Sequence, residues 1–147
     1  TVLPDIDELL PADKLDDLLK RSDYVVLAVP LTSETTNLIG PHQLELMKPS
    51  AILINVARGP VVDEPALIDA LREKKIAGAG LDTFTVEPLP KESPLWNMPN
   101  VIITPHMASG TGSPHIADRR IDLLCDNIRR FRTGEALRNV VDKQRWF

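Results

Sequence analysis

Ala51-Ile52-Leu53-Ile54-Asn55-Val56-Ala57-Arg58-Gly59-Pro60-Val61-Val62-Asp63-Glu64-Pro65 contains the change of period that decides the fold. Ala51 to Val56 is a short apolar run bounded by Pro49 and Gly59, which reads as a buried parallel strand, apolar on both faces. Asp63 then stands where a helix needs a side-chain acceptor for its first free amides, and Pro65 tolerates the first turn because its missing N–H is not needed there. The helix opens at Glu64-Pro65 and ends before Gly78, with Ala66, Leu67, Ala70 and Leu71 on one face.

The strand signature recurs at Tyr24 to Val29, between Asp23 and Pro30, and again at Ala79 to Phe84 and Val101 to Thr104. Strands alternating with helices imply an α/β domain on a parallel sheet. Between the last two strands Pro88, Pro90, Pro94 and Pro99 forbid a long helix, so an irregular loop is expected there. Ser113-Pro114 opens a long helix in which Ala117, Ile121, Leu124, Ile128 and Phe131 step by four and three; Gly134 closes it. That stripe is expected to pack on the sheet, with Cys125 as a small buried hydrophobe. Toward the start, Thr1 to Leu3 is compatible with a short strand, and Asp13 with the cap of a helix carrying Leu15, Leu18 and Leu19.

At 147 residues and 43% hydrophobic content, the chain suffices for one domain with a real core. A net charge of -4 with dispersed basic residues gives no footprint for nucleic acid. No apolar stretch approaches the roughly 20 residues that cross a bilayer, and the first residues lack the order of a signal peptide. These features give no nucleic-acid or membrane partner and a cytoplasmic location as expectations. One cysteine excludes an internal disulfide, and no metal site is expected.

Arg58, Glu87 and His106 each follow one of the apolar runs. If those runs lie parallel, the three side chains meet where open α/β sheets leave a crevice, outside the carboxyl ends of the strands. A cation, a carboxylate and an imidazole in one crevice read as an active site. A complete dinucleotide-binding domain opens with a strand, a Gly-x-Gly-x-x-Gly turn and a helix that holds the pyrophosphate. The chain has no such sequence: Gly78-Ala79-Gly80 precedes a strand, and Gly110-Thr111-Gly112 lacks the third glycine.

Val29-Pro30-Leu31-Thr32 with Thr35-Thr36, then Asn55 to Asp63, Gly80-Leu81-Asp82-Thr83-Phe84, Glu87-Pro88 and Thr104-Pro105-His106 stand in an order and spacing that resembles the D-isomer-specific 2-hydroxyacid dehydrogenases, from about Leu18 to Val141. The resemblance implies a partial Rossmann-type, doubly wound parallel sheet that lacks the glycine-rich loop. Residues 1–147 would be the C-terminal portion of a dinucleotide-binding domain, with about 137–147 a tail returning to a substrate domain. It further implies NAD or NADP as cofactor, a small 2-keto or 2-hydroxy acid as substrate, and a homodimer for the full-length parent, of the glyoxylate or hydroxypyruvate reductase kind. The fragment alone is expected to be inactive.

Reducing a 2-keto acid needs a cation for the carboxylate and ketone, a proton donor for the developing alkoxide, and a nicotinamide held in line. Arg58 suits the first task, because its planar fork pairs with a carboxylate at two points. His106 suits the second, because imidazole titrates near neutrality. A lone histidine after a strand is usually structural, but Glu87 beside it would favour the charged form. The resemblance assigns the same catalytic roles to Arg58, Glu87 and His106. It assigns cofactor contacts to Val29, Pro30, Val56, Ala57, Arg58, Asp82, His106 and Ala108. The alternative is a nucleotide-sensing, corepressor-like binding protein on the same fold.

Overall fold

The apolar run at 51–56 becomes strand β2, Ile52–Asn55, in a computed structural model that describes residues 6–108 and 114–143. Its partners are β1, Tyr24–Leu27; β3, Gly78–Leu81; and β4, Val101–Ile103. The sheet order is β1-β2-β3-β4, and every pairing is parallel. The register aligns Leu27, Asn55, Leu81 and Ile103 as the last residues of the four strands. All four chains therefore leave the sheet from one edge. The strands are shorter than their apolar runs, so Val29, Pro30, Val56, Ala57 and Asp82 lie beyond strand ends.

The chain divides into two units, Thr1–His106 and Met107–Phe147. In the first, helices α1, Leu15–Arg21; α2, Pro41–Leu46; and α3, Glu64–Arg72, pack with the sheet into a single core. Leu19, Leu44, Leu67 and Leu71 meet Val25, Leu27, Leu53, Ala79 and Leu81 there, all buried. Asp63 caps α3 as expected, its Oδ1 accepting from the Ala66 amide at 3.0 Å. The helix stops at Arg72, well before Gly78, because Lys74 turns into the left-handed region at φ 58°. Asp13 does not cap α1: it lies inside a 3-10 turn, Ala12–Lys14, that leads into the helix.

The expectation that the strands are buried on both faces fails. Val25, Leu53 and Ala79 alternate inward, whereas Tyr24, Val26 and Ile102 on the opposite face are 66%, 57% and 73% exposed. The physical reason is that α1, α2 and α3 all serve one core on one side. Between β3 and β4 the chain is irregular, as its prolines require, with a short 3-10 turn at Pro94–Asn97.

The second unit consists of α4, Pro114–Thr133, and the segment that follows it. Gly134 takes a φ of 70° and ends the helix. Asn127 then exchanges two hydrogen bonds with the Arg138 backbone, and Asp126 pairs with Arg129, Arg130 and Arg138. Ile121, Leu124, Ile128 and Phe131 are each more than half exposed, and Cys125 is exposed, so neither the stripe nor the cysteine is covered as the sequence suggested. Thr1–Leu3 and Ser113 lie outside the described residues.

Candidate active site

Asn55, the last residue of β2, is 1% exposed, and its side chain shapes the turn that carries Arg58. Its Oδ1 accepts from the Ala57 amide at 3.0 Å and its Nδ2 donates to the Arg58 carbonyl at 3.0 Å. Both ends of one buried amide are thus used to hold the backbone on either side of the arginine. The Arg58 Nη1 donates to the Ala57 carbonyl at 2.7 Å, and Arg58 and Val56 both face solvent. Gly59 follows because nothing larger fits. A Cβ there would lie 2.0 Å from the Phe84 carbonyl carbon and 2.4 Å from the Thr85 nitrogen.

The segment pressed against Gly59 carries Glu87. Its Oε1 accepts from the Phe84 amide at 3.0 Å, closing the turn, and the Glu87–Pro88 peptide is cis. Its Oε2 lies 2.7 Å from Nδ1 of His106. The hydrogen bond to His106 holds the Glu87 carboxyl below its ordinary range; the Phe84 N–H and the positive charge of Arg58 add to this, and burial opposes it. Arg58 follows the end of β2 at the same sheet edge where β4 leads to His106. His106 itself adopts φ 50°, which costs a non-glycine residue about 1–2 kcal/mol. The strain is offset by its backbone N–H, which donates to the carbonyls of Asp82 and Thr104 at 2.9 and 3.1 Å.

Asp82 is 3% exposed, and the Thr104 hydroxyl donates to its carboxylate. It stands just past β3, between the segments that carry Arg58 and His106. Val29 and Pro30 lie past β1, where the Thr35 hydroxyl donates to the Pro30 carbonyl at 2.7 Å. The first unit therefore gathers Val29, Pro30, Val56, Ala57, Arg58, Asp82, Glu87 and His106 at the carboxyl ends of its strands, with direct contact between Glu87 and His106. Ala108 belongs to the second unit.

Beside the pair opens a cavity of about 620 Å³, walled by Phe84, Leu89, Trp96 and Ile103. A groove of about 640 Å³ at the opposite ends of the strands, lined by Leu71, Ile76 and Asn100 among others, contains no such pair. The sequence reading did not single out Asn55 or Thr104. A buried-strand run ending in a polar residue was the available signal for Asn55. Among the described residues no cluster of His, Cys, Asp or Glu could hold a metal ion, and no helix is long and apolar enough to cross a membrane.

A parallel sheet whose chain exits share one edge, with an imidazole–carboxylate pair and an arginine there, defines the class. The family described as "D-isomer specific 2-hydroxyacid dehydrogenase, NAD binding domain" matches residues 4–108, and the chain belongs to it. It is 48% identical over 143 residues to a glyoxylate reductase of Thermococcus gammatolerans, a match covering 96% of this chain and 42% of the relative. It is 49% identical over 133 residues to the glyoxylate/hydroxypyruvate reductase B of Pectobacterium carotovorum, covering 88% and 40%. A crystal structure of a D-isomer specific 2-hydroxyacid dehydrogenase from Xanthobacter autotrophicus Py2, in complex with NADPH and MES, superposes with a TM-score of 0.82 at 47% identity, covering 92% of this chain and 54% of that one. The chain spans about two fifths of the length of these curated relatives.

Proposed function

We propose that the protein to which this chain belongs reduces a small 2-keto acid to the D-2-hydroxy acid with NADH or NADPH. The observation that carries the proposal is the 2.7 Å contact of Glu87 with His106 at the strand edge that also bears Arg58. Arg58, exposed at the end of a braced turn, pairs with the substrate carboxylate and polarises the adjacent ketone. Glu87 occupies Nδ1 of His106, which orients the ring and leaves Nε2 to deliver a proton to the developing alkoxide.

Part of the cofactor's site fits these residues. The exposed Val56 beside Arg58 offers an apolar surface for a flat ring, and the Val29-Pro30 and Ala57 backbones border the same edge. Val29, Pro30, Val56, Ala57, Arg58, Asp82, His106 and Ala108 are the proposed contacts. When bound, the nicotinamide supplies the hydride, while the residues of this chain orient the acid and move the proton. The pyrophosphate needs a glycine-rich turn, which this sequence does not contain.

The residues 1–147 are read as the later portion of a dinucleotide-binding domain, with about 137–147 returning toward a substrate domain. A cytoplasmic homodimer is the assembly this reading carries. The two curated relatives named above carry the names of reductases, and no observation favours the nucleotide-sensing binding protein over the enzyme. The test follows NADH and NADPH absorbance with glyoxylate, hydroxypyruvate and phenylpyruvate in the full-length protein. Oxidation with at least one acid is expected; tight cofactor binding without oxidation by any of them refutes the proposal. The 147-residue chain alone is expected to show no turnover.

A further inference from the structure

Two consecutive backbone amides in the turn that carries Glu87 are held by two different carboxylates. Phe84 N–H donates to Glu87 itself, and Thr85 N–H donates at 3.0 Å to Oε2 of Glu64, the first residue of α3. Glu64 is therefore tied to a segment 21 residues away in sequence. It sits on a rigid base: Asp63 caps the helix, and Leu67, Ala70 and Leu71 anchor it in the core. On the other side, the same Phe84–Thr85 peptide lies flat against Gly59, with no room for even a methyl group. The turn is thus gripped between the Arg58–Gly59 backbone and the start of α3.

From this geometry we infer that Glu64 is a positioning residue for the Glu87–His106 pair, fixing the 84–87 turn so that the Glu87 carboxylate reaches Nδ1 of His106. The inference rests on the proposed function for its catalytic meaning, but its geometry does not. Without Glu64 the Thr85 amide loses its acceptor, and the side of the turn opposite Gly59 loses its tie to α3. An unbraced turn lets Glu87 move away from the histidine, weakening the interaction that lowers the Glu87 carboxyl.

The charged groups facing Glu87 are His106 and Arg58, with Glu64 one peptide away across Thr85. This makes the sign of the outcome diagnostic. Removing the negative charge of Glu64 should by itself ease ionisation of Glu87 and lower its titration midpoint. Loss of positioning should raise that midpoint instead.

The experiment is a carbon-13 NMR titration of the Glu87 carboxyl in the 147-residue chain, with amide exchange at Thr85 read in the same samples. Glu64→Ala is expected to raise the Glu87 midpoint and to speed Thr85 exchange by about tenfold. Glu64→Gln keeps an acceptor oxygen and is expected to preserve Thr85 protection without raising the midpoint. A folded Glu64→Ala chain whose Glu87 midpoint is unchanged or lowered overturns the inference. Should that variant not fold, Glu64→Asp, one methylene too short to reach Thr85, takes its place with the same expected rise and the same refuting result. Because these readouts do not involve turnover, failure of the reductase reading would leave them intact, and their failure would leave the reductase assay intact.

Discussion

Adding one methyl group at residue 59 is expected to destabilise the fold more than most single substitutions. The Cβ of Gly59→Ala would lie 2.0 Å from the Phe84 carbonyl carbon, 2.1 Å from its oxygen and 2.4 Å from the Thr85 nitrogen. Non-bonded carbon atoms rest at roughly 3.5–4.0 Å, so one backbone segment must retreat by about 1.5 Å. Neither is free to do so. The Arg58 side is braced by both ends of the Asn55 amide, and the Phe84–Thr85 side by Glu87 and Glu64. Overpacking a tight site costs about 1–3 kcal/mol, and each hydrogen bond given up about 1 kcal/mol more, so a total of about 3–5 kcal/mol is expected. That is a large share of the roughly 5–15 kcal/mol by which a domain is stable. Urea unfolding followed by circular dichroism measures it, as a fall in midpoint at an unchanged slope. Gly80→Ala serves as the control, because its Cβ would meet Ile54 at an ordinary 3.7 Å, and it should be close to neutral. A loss below about 1 kcal/mol for Gly59→Ala, on the same scale, would show that the contact yields and that the turn is not gripped.

Three further outcomes follow from the same structure. Thr83→Val should stabilise, by about 1 kcal/mol, because the Thr83 hydroxyl is buried without a hydrogen-bond partner among the described residues while valine keeps its shape; a thermal melt that does not rise contradicts this. Asn55→Ala should lose about 2–4 kcal/mol by leaving the Ala57 amide and Arg58 carbonyl unpaired, measured by urea unfolding, and a loss near zero would show that the brace is dispensable. Glu87 has its pKa lowered in the fold, so its contribution to stability is present above the unfolded carboxylate value of about 4.3 and is lost as pH falls through the folded value. Glu87→Gln should flatten stability against pH in that acid window and leave the slope above it unchanged; an unaltered acid slope refutes the linkage.

The run ending at Asn55, the Asp63 cap and the proline-laden stretch before Val101 all act locally, so their chemistry is visible in order along the chain. Helix α2 was not visible: six residues with one buried leucine, Leu44, give a periodicity argument too little to count. Nor was the open face of the sheet, because Tyr24, Val26 and Ile102 are as apolar as their covered neighbours, and sequence does not say which face a helix will cover. Within the candidate site, Arg58, Glu87 and His106 stood out because each follows an apolar run. The brace at Asn55 and the tie from Glu64 to Thr85 were hidden, since both are polar side chains bonding to backbone, one of them across 21 residues.

The uncovered sheet also affects how the isolated chain will behave. Among the described residues β1, Tyr24-Val25-Val26-Leu27, pairs with β2 alone and stands at the edge of the sheet, and the strand contains neither a charge nor a proline to discourage further pairing. Together with its exposed Tyr24 and Val26, it has the makings of a template on which a second chain could lay a strand. Concentrated samples of the 147-residue chain would then be governed as much by colloidal behaviour as by chemistry, with self-association starting at the end of the sheet farthest from His106.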